Sequence, residues 1–249
     1  MIDAGTVKKG DLLYEGKAKK IFSVIGHDDV LWLDYKDSLT AFNALKKGEF
    51  SGKGRINCQI STILFHLLQE RGVPSHWIRN LSDHEMLVRK VEIIPLEVVV
   101  RRKLAGSTAK KFALAEGTVL PRTLVEFYYK NDELNDPFIS DDQALIFNFV
   151  KEAEIPQLKK SAVLIGNALS EVFAKVGIEL IDFKVEFGRL PSGEVCLADE
   201  ISPDCARLWD VKTGEKMDKD RFRRDLGNVE DFYSEILQRL QKEFPHAVV

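Results

Sequence analysis

Between Leu180 and Arg207 the chain reads LIDFKVEFGRLPSGEVCLADEISPDCAR, and its charged residues recur at a spacing that chemistry can use. Asp182, Lys184 and Glu186 alternate with Ile181, Phe183, Val185 and Phe187. That period of two marks a strand with one apolar face and one charged face. Pro191, Ser192 and Gly193 read as a turn, and a second strand follows over Glu194–Glu200. Pairing Arg189 with Glu194 would set Lys184 opposite Asp199, with Glu186 diagonally beside it. Carboxylates brought this close repel unless a cation joins them. Hard oxygens from one or two carboxylates, completed by phosphate oxygens, make the usual magnesium site of an ATP-using enzyme. A plain solvated strand face is the rival reading. The second acidic strand, and the ISPDCARLWD segment after it with Asp204, Arg207 and Asp210, favour the metal site.

Two other stretches offer phosphate cradles. Leu12–Phe22, LLYEGKAKKIF, reads as a strand, a glycine turn at Gly16 and a strand. A glycine there lets the backbone approach phosphates, and Lys17 and Lys19 would neutralise them. An ordinary hairpin with solvated lysines fits the same residues. It is not a P-loop, and the nearest candidate, Gly48–Gly54, lacks the spacing and the Ser or Thr after Lys53. Ile94–Ser107, IPLEVVVRRKLAGS, predicts a strand over Glu97–Arg102 and then a helix through Glu116, with Ser107 as N-cap and Gly117 as terminator. Such a helix start offers free NH groups and a positive dipole end, and Arg101 would complete a phosphate cradle. A capped helix beside a surface arginine is the plainer alternative. Lys130, Asp132 and Asp136 form a further polar cluster in FYYKNDELNDP.

The elements that must position these residues follow from periodicity. Ile56, Ile60, Ile63, Leu64, Leu67 and Leu68 stripe a helix over Arg55–Arg71, ended by Gly72 and Pro74, with His66 structural. Asp34–Gly54, with Asp37, Ser38, Thr40 and Asn43, reads as a mobile substrate loop or a plain connection. Trp77–Ile78 and Glu85–Val91 read as strands, and Val88–Ile94 as the link between two lobes. Ser140 and Gln143 form a capping box for a helix through Lys151. Pro156 opens a long helix ending at Gly177, and a last helix spans Val229–Phe244.

Composition narrows the partners. A chain of 249 residues, 45% hydrophobic and 30% charged, supports a sizeable core in one large domain or two small ones. A net charge of −3 gives no electrostatic case for nucleic acid or an anionic membrane, so any bound anion needs a local cluster. Cys58, Cys196 and Cys205 form no CxxC pair, which argues against zinc fingers and disulfide frameworks and fits a reducing cytoplasm. The N-terminal MIDAGTVKKGDLLYEG has no apolar core of signal-peptide length, and no apolar run reaches membrane-spanning length.

These residues together resemble the SAICAR synthetases (phosphoribosylaminoimidazole-succinocarboxamide synthases). IPLEVVVRRKLAGS and LIDFKVEFG match two family signatures, and LYEGKAKKIF, KNDELNDP, LADEISPD, ARLWD and MDKDRFR match in order along the chain. The resemblance implies an ATP-dependent, cytoplasmic ligase of purine biosynthesis that joins L-aspartate to CAIR, the carboxyaminoimidazole ribonucleotide. It implies an α+β fold: a small antiparallel β lobe related to kinase N-lobes over 1–92, then an ATP-grasp-like lobe over 93–249, with ATP in the cleft between. By matching motifs it places Glu186 and Asp199 at a magnesium site, and Lys17, Lys19 and Lys130 in nucleotide-binding segments. Arg101, Ser107, Lys184, Asp204 and Arg207 fall in CAIR-binding segments. The general base for the aspartate amine stays open between Asp204 and Asp182. A homo-oligomer, taken as a dimer, is the expected assembly, although no residue pattern fixes it. A small-molecule kinase and a non-catalytic nucleotide-binding regulator are the alternatives from other classes.

Overall fold

The computed structural model describes residues 7–41 and 45–248, so Asn43 and the first six residues lie outside it. The chain begins with β1 (Lys9–Glu15), β2 (Lys19–Val24), β3 (His27–Tyr35), β4 (Ser38–Ala41), β5 (Lys46–Glu49), α1 (Lys53–Gln69), β6 (Trp77–Asn80) and β7 (Glu85–Arg89). It continues with β8 (Glu92–Lys103), α2 (Gly106–Lys111), β9 (Val119–Tyr129), β10 (Phe138–Ile139), α3 (Asp141–Ile146) and α4 (Glu154–Lys175). β11 (Ile178–Arg189), β12 (Val195–Ala198), β13 (Ala206–Asp210), α5 (Asp220–Arg223) and α6 (Val229–Glu243) complete it.

The fold mixes helices with antiparallel sheets. One sheet has the order β1-β2-β3-β7-β6; the other runs β10-β9-β8-β11-β12 with β13 also on β11; β4 and β5 form a small hairpin. The main apolar core joins Leu33 and Tyr35 of the first sheet to α1, β8, β11, α4 and α6, and a smaller cluster of Val24, Val30 and Leu87 belongs to the first sheet. α1 therefore packs with elements from both halves of the chain.

β11 is the axis of the second sheet. Its apolar residues Ile181, Phe183, Val185 and Phe187 are buried, and α4 lies on that side, where Gly166 gives room: a Cβ there would sit 3.2 Å from Phe183. The charged face is not solvated, since Asp182 and Glu186 are only 4% and 3% exposed. Register then decides which charges meet. Asp182 stands opposite Arg101 of β8 on one side and Arg207 of β13 on the other, while Glu186 stands opposite Glu97.

Three local expectations need correction. First, the β11–β12 hairpin pairs Arg189 with Val195, not Glu194, because its loop is one residue longer, with Gly193 at φ 87. A slip of one residue turns every side chain of the returning strand to the opposite face. Asp199 escapes this: β12 ends at Ala198, and Asp199 adopts a left-handed φ of 63. Its carboxylate thereby returns to the charged face, 3.1 Å from Lys184. Second, α2 stops at Lys111 and begins after Ala105, so Ser107 lies inside the first turn and caps nothing. Ala113 takes φ 53, and the Leu114 NH donates to the Ala109 carbonyl, closing the helix in the Schellman manner. Third, α3 has the expected Ser140–Gln143 capping box but ends at Ile146, where Asn148 at φ 59 makes the same kind of stop.

Candidate active site

A cleft of about 730 Å³ opens between the two sheets, and the eleven residues given a binding or candidate-base role above all line it. They are Lys17, Lys19, Arg101, Ser107, Lys130, Asp182, Lys184, Glu186, Asp199, Asp204 and Arg207. One end of the cleft is apolar, with Ile21, Leu31, Val88 and Ile93. His66 packs on Trp77 instead, and Asp210 is tied to Arg239 at 2.8 Å and accepts from the turn NH groups of Lys212 and Thr213.

At the acidic centre the cations are lysines. Lys184 Nζ lies 2.8 Å from Glu186, 3.1 Å from Asp199 and 3.4 Å from Glu97. Lys130 donates to the same Glu186 oxygen at 2.9 Å, and Lys19 donates to Asp199 at 2.6 Å. Burial alone would lower the pKa of Lys19 and Lys184, but the surrounding carboxylates outweigh it and hold both well above the usual lysine range. For Asp199, burial is likewise outweighed, by Lys19 and Lys184, and its carboxyl stays well below the usual range. Burial raises the neighbouring Glu97 and Glu200.

The donor set suits a hard divalent cation. A carboxylate offers about four lone-pair sites. Asp199 uses one on each oxygen for lysine, and Glu186 uses only Oε1, leaving Oε2 without a donor among the described residues. Both acids keep oxygen lone pairs for a metal while the lysines remain in place.

Two arginines, Arg101 and Arg207, also line the cleft. Arg101 donates to Asp182 at 2.5 Å and to Glu126 at 2.7 Å; Arg207 donates to Asp182 at 2.8 Å and to Asp220 at 2.9 Å. Asp182 thus clamps two arginines side by side, so it orients them rather than being free as a base. Gly106, at φ +60, lies against Arg207: a Cβ there would come within 2.3 Å of the guanidinium. Only glycine lets the α2 start, and Ser107 with it, come this close to the arginine.

Asp204 is gripped from behind. Lys53 donates to Oδ2 at 2.6 Å and Tyr233 to Oδ1 at 2.7 Å, and these side chains are 1% and 0% exposed. Burial would raise its pKa, but Lys219 and Lys53 beside it pull it well below the usual carboxylate range. A carboxylate this stabilised is a poor proton acceptor. Asp37 fixes the α1 end that carries Lys53, accepting from Gly52 NH at 3.0 Å and Gly54 NH at 2.9 Å. Part of the polar Asp34–Gly54 stretch is thus a helix anchor and a hairpin.

Lys53, Tyr233, Glu97, Glu200 and Lys219 were missed as site residues. Lys53 stands in the rejected GEFSGKG stretch, where its flanking glycines hinted at a close approach. Tyr233 follows the apolar stripe of its helix and gives no separate signal.

Fold and site together define an enzyme cleft for phosphorylated substrates, with arginines at one end, lysines and acids at the centre and an apolar pocket at the other. More narrowly, the chain belongs to the SAICAR synthetase family, whose model matches residues 12–240. It is 54% identical over 232 residues to the phosphoribosylaminoimidazole-succinocarboxamide synthase of Shouchella clausii, covering 93% of this chain and 97% of that one. The corresponding enzyme of Nautilia profundicola is 52% identical over 231 residues, covering 92% and 98%. Among solved structures, the enzyme from Ehrlichia chaffeensis superposes with a TM-score of 0.91 at 44% identity, covering 93% of this chain and 98% of that one. A SAICAR synthetase in complex with ADP superposes at 0.89 with 45% identity, covering 92% and 97%.

Proposed function

We propose that this cleft joins L-aspartate to the carboxylate of CAIR, consuming ATP and releasing SAICAR, ADP and phosphate. The carrying observation is the convergence of all eleven sequence-selected residues on one cleft. A carboxylate is a poor electrophile, and phosphorylation by ATP gives the carbon a good leaving group before the amine attacks. In this reading Lys17, Lys19 and Lys130 hold the ATP phosphates, and the apolar pocket beside Ile21 and Val88 takes the base. Glu186 and Asp199 would hold a magnesium ion, which when bound supplies charge neutralisation on the phosphates. Arg101, Ser107 and Arg207 hold the ribonucleotide phosphate, and Lys184 orients the CAIR carboxylate against the nucleotide. Asp204 positions neighbouring cations.

The same reading treats residues 1–92 as a kinase-N-lobe-like lobe and 93–249 as an ATP-grasp-like lobe, with the nucleotide between them. The two-residue link Lys90–Val91 between β7 and β8 supports that division, with α1 shared by both bodies. A cytoplasmic dimer belongs to this reading too. No helix of the described residues is long and apolar enough to cross a membrane. ADP release measured with CAIR, with and without L-aspartate, tests the function. Release that needs both supports the ligase; release with CAIR alone at full rate points to a kinase, and none at all to a nucleotide-binding regulator.

A further inference from the structure

Outside the cleft, at the C-terminal end of α1, two histidines converge on one carboxylate. His66 and Glu70 stand four residues apart, so the last turn of α1 sets them one above the other on one side of the helix. His246 comes from the far end of the chain, on the 3-10 turn Pro245–Ala247 that packs on α1. Each imidazole Nε2 lies 3.6 Å from the same Glu70 Oε1. Packing holds the rings: the His66 centroid is 6.2 Å from that of Trp77, the His246 centroid is 6.3 Å from that of Phe244, and the two imidazoles meet edge to face at 6.2 Å. The turn itself is fixed by buried Ala247, whose NH donates to the Phe244 carbonyl at 3.0 Å.

No hydrogen bond accounts for this convergence. The gaps of 3.6 Å are beyond hydrogen-bonding reach, and among the described residues the three side chains make no other polar contact. The spacing does match a metal. In a tetrahedral zinc site with bonds of about 2.0–2.1 Å, neighbouring ligand atoms stand about 3.3–3.4 Å apart, so each gap need close by only about 0.2–0.3 Å. Two imidazoles and a carboxylate suit Zn2+, with water as the fourth ligand. The carbonyl end of α1 favours positive charge. All three side chains are partly exposed, so an ion can reach them. Asp34, His84 and Glu85 also bring donor atoms within 4.8 Å of one another. There the protein supplies its own cation, since Lys9 donates to Glu85 at 2.5 Å and Trp32 donates to the same oxygen at 2.9 Å.

We propose that His66, Glu70 and His246 bind one zinc-like divalent ion, which clips the C-terminal turn onto α1. The full chain, stripped with a chelator and held in excess Mg2+ to keep zinc off the acids of the cleft, is titrated with Zn2+ by calorimetry. One Zn2+ should bind per chain. His66→Gln and His246→Gln should each weaken that binding about 10-fold or more, the loss of one ligand bond, while His84→Gln leaves it within about 3-fold. His246 is 56% exposed, so its variant reads the site even if His66→Gln disturbs the packing on Trp77. Zinc at about 100 times its dissociation constant should raise the thermal midpoint of the unaltered chain by about 5 °C or more, and both variants should lose most of that rise. Hydrogen exchange at the Ala247 NH should slow when Zn2+ is added, as a clip on the turn requires and binding elsewhere would not. An absence of saturable Zn2+ binding, or binding that either variant at His66 or His246 leaves unchanged, would overturn the proposal.

Discussion

Glu186 and Asp199 each meet two lysines, and that pairing governs what their loss will do. Glu186→Gln or Asp199→Asn should lower turnover by about 100-fold or more, because the phosphates lose the acids that organise charge around them. Neutralising either acid also leaves buried Lys184 with less counter-charge, so stability should fall by about 1–3 kcal/mol rather than rise through relieved repulsion. Steady-state kinetics and urea unfolding check the two effects, and near-normal turnover in both variants would sink the assignment. These acids were legible in the sequence because a period of two puts alternate residues on one face. Lys53 and Tyr233 were not, because their partner Asp204 is 151 and 29 residues away and only tertiary packing brings them to it.

Elements place these residues more delicately than their types suggest. The β11–β12 hairpin was readable as a hairpin, yet its loop length was not, and one extra residue would have turned Asp199 away. A left-handed backbone at Asp199 restored the geometry, a compensation no periodicity can announce. The α3 start was legible through its Ser140–Gln143 capping box, whereas α2 starts after Ala105 with Ser107 capping nothing, and its end is set by Ala113 in a left-handed conformation that alanine rarely adopts. α6 bears on the site indirectly, through the buried Tyr233 hydroxyl that donates to Asp204. Tyr233→Phe should leave the buried Asp204 carboxylate one donor short and cost about 1–3 kcal/mol. Urea unfolding should reveal that loss with the constant for ATP unchanged; an unaltered midpoint would mean that the hydroxyl contributes nothing there.

Across the whole molecule, ion pairs tie α5 to the second sheet and make stability depend on acid. Burial alone would raise Asp220, but Arg207 and Arg223 beside it bring its pKa down from 3.8 to about 2. A carboxylate depressed in the folded state stabilises the fold above its unfolded pKa, and the contribution is lost as pH falls through the folded value. Asp220→Asn should therefore cost about 2 kcal/mol near neutral pH, and the gap from wild type should close between about pH 4 and pH 2. A gap that stays constant over that range would rule out this linkage. Individual strands and helices were legible from their periods, and the mixed architecture only from the family resemblance. The main core, which spans both halves, was not legible, because α1 packs on α6 from the far end of the chain.

The central claim is that ATP activates the CAIR carboxylate as an acyl phosphate, and the path of one oxygen atom tests it most directly. CAIR carrying heavy oxygen in its carboxylate is incubated with ATP and L-aspartate, and the released phosphate is analysed by mass spectrometry. Activation requires the oxygen bridging carbon and phosphorus to leave with the phosphate, so one labelled oxygen should appear per amide formed. Unlabelled phosphate accompanying genuine amide formation would contradict the acyl-phosphate route.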